Sequence, residues 1–194
     1  MSLPIPAPRR KIHTRKTSFE GFLRDDGLWE IEAELIDTKP HPFDSHGRGR
    51  MPPEQPIHHM KLRITIDGTL TITDIASEMV GIPYDECTLA QDPIRSMIGV
   101  KMGPGWRKAI DARLGGTKSC THLRELLFNA ATAAYQSVPS YAEHLRRERG
   151  EAPPTDGPMP FHLGQCMTWA FDGAAALRYY PKYAGYQPPA RTPK

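Results

Sequence analysis

The sequence predicts an α+β domain: a mainly antiparallel sheet built from Asp-Gly hairpins, packed on one face by a central helix over about residues 120–138 and by shorter helices. Three observations carry that expectation. Asp-Gly pairs at 26–27, 67–68 and 172–173 each separate two runs of strand character, and Asp-Gly between alternating runs is a strong hairpin signal. From Cys120 to about Val138, Leu123, Leu126, Leu127, Ala130, Ala131 and Ala134 recur at helical spacing, a stripe that needs an apolar partner. Strands come first, then helices, then strands again, an order that argues against a doubly wound parallel sheet.

Taken in order, residues 1–11 are Pro-rich and basic and read as an extended arm. In "TSFEGFLRDDGLWEIEAELIDTK", Phe19, Gly21 and Leu23 precede the turn, and Trp29, Ile31, Ala33 and Leu35 follow it. Residues 40–56, "PHPFDSHGRGRMPPEQP", carry five prolines and two glycines and form a loop long enough to suggest function or mobility, a candidate cover for a site. Next, Leu62, Ile64 and Ile66 alternate with Lys61, Arg63 and Thr65, and Asp67-Gly68 leads into Leu70 to Ile75. "PYDECTLAQDPIRSMIGVKM" and "GPGWRKAIDARLGG" read as shorter helical pieces, the second opening near Pro104 and closing at Gly115-Gly116. The central helix is expected to stop at Pro139, with Tyr141 to Arg149 a charged helical turn. "GEAPPTDGPMP" then reads as a linker or surface loop and "CMTWAFDGAAALRYYP" as the third hairpin. A chain of 194 residues has room for one core, so the expected organisation is a single domain over 12–181 between the arm and a Pro-rich tail, 182–194.

Composition narrows the function classes. With 25 Lys and Arg against 22 Asp and Glu, spread among one another, no dense basic stripe marks a nucleic-acid surface. Three widely spaced cysteines make no disulfide framework and suit a reducing compartment. No apolar run approaches the roughly 20 residues that span a bilayer, and the N-terminus has no apolar signal core. The expected setting is the cytoplasm, with a small-molecule substrate as partner, no nucleic acid, no membrane, and room for a homo-oligomer. No phosphate loop, dinucleotide fingerprint, nucleophile elbow or H-E-x-x-H is present, so no cofactor is expected.

Several side chains are candidates for chemistry. His58 shares its parity with Met60, Leu62 and Ile64, which points it inward and leaves His59 outward; an inward imidazole is either a general base near neutral pH or a satisfied core residue. Asp37 and Lys39, two residues apart, share a face: a surface ion pair, or, on the covered face, a catalytic pair with perturbed pKa values. Arg24, beside Asp26, reads as a turn and ion-pair residue with a possible substrate contact. Tyr84 could donate to a developing oxyanion, and Trp106, beside a Gly-Pro bend, either stacks on a ligand or packs in the core.

Cys120 opens the central helix, where first-turn N–H groups favour a thiolate, although structural thiols are the commoner kind. His122 lies about 200° around the helix from it, so the two converge only if Cys120 is still in the cap; otherwise His122 can meet Glu125 one turn on. Cys87, Cys120 and Cys166 with His58, His122 or His162 could assemble a zinc site, but no C-x-x-C pair occurs and no metal is expected.

The ordered set "RDDGLWEIEAELIDTK", "PIHHMKLRITID", "IPYDEC", "GPGWRKAIDARLGGTKSCTHL" and a late C-x-x-W-x-x-D-G resembles a bacterial family catalogued as a domain of unknown function, over about residues 12–181. The resemblance implies a fold and a context, the catabolism of aromatic and acyl compounds, without an established reaction. The resulting expectation is a small catabolic lyase that needs no organic cofactor. It would carry out retro-aldol-type C–C cleavage or elimination, for example formaldehyde release, on a phenolic or other small aromatic substrate. His58, Lys39, Asp37 and Tyr84 would act as acid, base and electrostatic partners, with Trp106, Cys120, His122 and Arg24 around the substrate. The alternative is a non-catalytic binding or accessory module with a Cys/His-bound metal.

Overall fold

The computed structural model describes residues 2–152 and 159–187. Two compact units divide the chain, Met1–Arg149 and Gly150–Lys194. In the first, β1 (Thr14–Leu23), β2 (Trp29–Thr38), β5 (His58–Ile66) and β6 (Ile72–Gly81) form a four-stranded antiparallel sheet in the order β1-β2-β5-β6. The alternation that forms β2 is complete: Trp29, Ile31, Ala33, Leu35 and Asp37 are buried while the residues between them are half-buried on the opposite, open face.

The hairpins turn where the Asp-Gly pairs stand, by two different devices. In the first, Gly27 takes φ 83°, the left-handed region that suits glycine, and Leu28 N–H donates to Asp26 Oδ1 at 3.2 Å. In the second, Asp67 Oδ1 accepts from Thr69 N–H at 2.8 Å and Thr71 N–H at 3.0 Å, and the left-handed residue is Leu70 rather than Gly68. The long loop is not structureless: β3 (Phe43–Ser45) and β4 (Gly49–Met51) pair within it as a small hairpin.

One face of the sheet is covered by α2 (Thr121–Glu148), against which α1 (Trp106–Leu114) packs. The apolar stripe of α2, Leu123 through Val138, is buried against Leu35, Leu62 and Ile64 of the sheet, as its spacing requires. Before α1, the chain makes two 3-10 turns at Asp85–Ala90 and Asp92–Met97. A Cβ on Gly21 would stand 2.3 Å from Ser137 Oγ, so glycine lets α2 cross β1 closely at that point.

Two expectations are corrected. Pro139 does not stop α2, which runs on to Glu148 and absorbs the segment read as a separate turn. Proline removes only the N–H that would meet Tyr135 O and crowds that turn, while the apolar stripe from Leu123 to Val138 holds the helix in place. Around it Ser137 donates to Ala133 O at 2.8 Å, and Ser140 donates to Gln136 O and, at 3.1 Å, to Ser137 O. The third Asp-Gly pair makes no hairpin. In the second unit the described residues contain turns and α3 (Ala174–Tyr179), and no strand among them. Gly173 is extended (φ −75°, ψ 149°) as the cap of α3, and the Ala-Ala-Ala-Leu-Arg run after it favours helix more strongly than strand. Residues 153–158 of the linker and 188–194 of the tail lie outside the described residues. No helix among the described residues is long and apolar enough to cross a membrane.

Candidate active site

The centre of the site is one row of the sheet. Register places Arg15 of β1 opposite Asp37 of β2, and Asp37 opposite His58 of β5, all three on the covered face. Asp37 ends the alternating apolar row of β2 and is only 1% exposed, so its carboxylate must be paired. Arg15 supplies a fork, Nε donating to Oδ1 and Nη2 to Oδ2, each at 2.8 Å. His58 Nδ1 lies 3.0 Å from Oδ2, and since an ionised carboxylate only accepts, Nδ1 carries the proton and donates. His13 Nε2 adds a contact of 3.1 Å to Oδ1, and the remaining Arg15 nitrogen, Nη1, donates to Glu125 Oε2 of α2 at 2.6 Å. Burial works to raise the Asp37 pKa, but the Arg15 hydrogen bond and charge, followed by His58, outweigh it and hold the carboxyl below its ordinary range.

The first turn of α2 closes over this row. Cys120 is the residue before the helix, extended at ψ 135°, so the two-residue angular separation in a regular helix does not apply, and its Sγ lies 3.6 Å from His122 Nδ1. His122 does not meet Glu125, which is taken by Arg15; its ring stacks on His58 at 4.0 Å between centroids, with Nε2 3.9 Å from Asp37 Oδ2, beyond hydrogen-bond range. Burial first, then the charges of His58 and Arg15, push the His122 pKa down to about 4 against the opposing pull of Asp37, so this imidazole is neutral at neutral pH.

Beside the two rings opens a cleft of about 650 Å³, walled by Tyr84, Cys87 and Ala90 on one side and Ser119 and Cys120 on the other. His58 Nδ1 is committed to Asp37, and no partner among the described residues takes Nε2, its other ring nitrogen. Gly47 of the β3–β4 hairpin packs against Pro83 and Tyr84, and Arg48 donates to Ile82 O at 3.0 Å, so the long loop abuts the cleft wall.

Four of the expected site residues therefore converge: Asp37 and His58 in contact, His122 on the His58 ring, and Cys120 on His122; Tyr84 lines the same cleft. Three do not. The Lys39 ammonium stands 4.4 Å over the Phe43 ring, because Asp37 is near the strand end and the chain leaves the sheet between them. Arg24 is bound to Asp26 and Glu30 at the first hairpin. Trp106 is core, its Nε1 donating to Leu127 O at 3.1 Å. Cys166 and His162 belong to the second unit, where the His162 ring lies 4.5 Å from Trp169. His13, Arg15 and Glu125 were not expected. Counting back from the Asp26-Gly27 turn pairs Arg15 with Asp37, a signal available once the register is known.

Asp37, His58 and His122 each offer one ligand atom within 4.8 Å of the others, among the described residues the one group of three or more that could hold a metal ion, and no cysteine is in it. The Arg15 fork on both Asp37 oxygens and the His58 hydrogen bond compete with a cation for the same lone pairs.

Fold and site define an α+β protein with a buried carboxylate–imidazole centre at one end of a four-stranded antiparallel sheet, facing an open cleft. The chain belongs to a family described as proteins of unknown function, DUF2889, whose model matches residues 13–136. That stretch contains the sheet, α1 and every member of the row. No curated protein and no solved structure matches the chain.

Proposed function

We propose that the protein is a lyase acting without an organic cofactor on a small phenolic or other aromatic substrate in an intracellular, cytoplasmic setting. The observation that carries this reading is the buried Asp37 carboxylate, anchored by Arg15 and holding His58 by Nδ1 at the mouth of the cleft. A carboxylate behind an imidazole selects its tautomer and leaves Nε2 to accept a proton.

In the retro-aldol form of the reaction, His58 Nε2 takes the proton of a substrate hydroxyl, the adjacent C–C bond breaks and the aldehyde leaves, formaldehyde where the fragment is a hydroxymethyl group. The electron pair of that bond passes to a carbonyl oxygen of the remaining fragment, giving an enolate or, where the ring enters as its dienone tautomer with the ipso carbon already protonated, a phenolate. The Tyr84 hydroxyl can donate to that oxygen, and His58 returns its proton to the enolate carbon or the phenolate oxygen. His122, neutral beside His58, adds no competing charge to the proton acceptor.

The test is aldehyde release from hydroxymethyl-bearing phenolic compounds with no added cofactor. Unaltered chain is expected to release aldehyde, His58→Ala to lose roughly a factor of 10² to 10⁴ in rate, and Cys120→Ser to keep most of it. Full activity in His58→Ala would overturn the assignment.

A binding module built around a metal has the Asp37, His58 and His122 grouping in its favour. Stoichiometric zinc that survives dialysis against a chelator in the unaltered chain, and is lost in His122→Ala, would favour that reading.

A further inference from the structure

The two edges of the four-stranded sheet are finished differently. At β6, the segment after the 3-10 turns lies along the start of the strand: Ile72 N–H donates to Val100 O at 3.0 Å, Gly99 N–H to Ile72 O at 2.8 Å, and Thr71 bridges Lys101. Farther along, Gln91 Nε2 donates to Ser77 O at 2.8 Å. Backbone groups that would otherwise offer themselves to another chain are thereby occupied.

At β1 nothing comparable is present. Its ten residues pair with β2 in unbroken register from Thr14↔Thr38 to Leu23↔Trp29, without a bulge or a proline. All are exposed except Thr14 and Phe19, which are half-buried, and among the described residues no backbone group on the outer side of β1 has a partner. A bare, regular edge of that length is a template for one more strand.

We propose that β1 pairs antiparallel with β1 of a second copy of this chain about a two-fold axis, joining two four-stranded sheets into one. The choice of a second copy rests on the charges. Lys16 and Glu20 lie on the open face, and neither has an ion-pair or hydrogen-bond partner among the described residues. Centring the two-fold on Ser18 sets Lys16 opposite the partner's Glu20 and Glu20 opposite the partner's Lys16, two opposite-charge pairs of the kind that stabilise neighbouring strands. It also sets Arg15 opposite the partner's Gly21, which leaves its fork on Asp37 undisturbed.

Slipping by one residue would put open-face side chains opposite covered-face ones. The nearest registers that keep the faces, centred on Thr17 or Phe19, match Lys16 with Ser18 or with Phe22 and lose both charge pairs. The centred register therefore follows from face and charge together. The proposal does not depend on the reaction assigned to the site.

The test is the mass of the full chain in solution by light scattering or sedimentation at micromolar concentration. The expected mass is twice 21.8 kDa. Lys16→Glu and Glu20→Lys, each of which sets like charges face to face, should weaken the dimer by roughly tenfold or more, and the double swap should restore it. Thr17→Pro, which removes an outward-facing N–H of the edge and leaves the β1–β2 ladder intact, should give monomer with an unchanged circular dichroism spectrum in the helical region. A monomeric unaltered chain overturns the proposal, as does a dimer indifferent to the single charge changes. Slow hydrogen exchange at the outer amides of β1 in a monomer would assign the edge to the chain's own C-terminal unit, which also overturns it.

Discussion

Asp37 is buried at the end of an apolar row, where a carboxylate survives only because three other side chains reach it. That dependence gives a pH signature with a definite sign. His122, with a pKa of about 4 in the folded chain against 6.5 ordinarily, stays neutral while the unfolded chain takes up a proton. The unfolded state therefore binds more protons across that interval, and stability falls as the pH drops from 6.5 towards 4. Asp37, with its pKa lowered, contributes stability that is present above the ordinary carboxylate range and lost below it as the unfolded carboxylate protonates first. The melting temperature should decline from near neutrality into acid, and His122→Phe should flatten the upper part of that decline. A profile unchanged between neutrality and pH 4 would count against a neutral, buried imidazole.

At the level of elements, α2 is the member whose length local rules misjudge. Proline is about 3 kcal/mol less favourable than alanine inside a helix, which is why Pro139 reads as a stop. The stripe from Leu123 to Val138 is already docked when the chain reaches Pro139, so continuing costs only the one bond from residue 139 to Tyr135 O and the crowding of that turn, which the docked stripe outweighs. Pro139→Ala is therefore expected to raise stability by about 1–3 kcal/mol in denaturant unfolding, the gain being trimmed by the greater freedom of the unfolded chain. A loss of stability would mean that the proline shapes the helix against the sheet. The Asp-Gly pairs teach the complementary point. The first two lie between strands that a helix-covered sheet can use, whereas the third precedes alanines that satisfy their backbone locally as α3.

Over the whole molecule, residues 2–11 are exposed and make no regular structure, while His13 and Arg15, a few positions on, reach Asp37. Removing residues 1–11 should leave the melting temperature nearly unchanged, and a cut through Arg15 should lower it by several degrees and disturb the site; a large fall from the shorter cut would show that the arm is docked. What the sequence determined by itself was local: the period-2 runs, the turns at Asp26-Gly27 and Asp67-Gly68, the helical stripe after Cys120, and the inward face of His58. Each follows from backbone geometry, which repeats over a few residues and can be read in one segment. Tertiary structure alone decided that Arg15, Asp37 and His58 share one row, that His122 closes on them while Lys39 and Trp106 do not, and that Pro139 is tolerated. Those outcomes depend on the register between strands and on where a helix crosses them, and such contacts join segments whose side chains carry no mark of one another until the core brings them together.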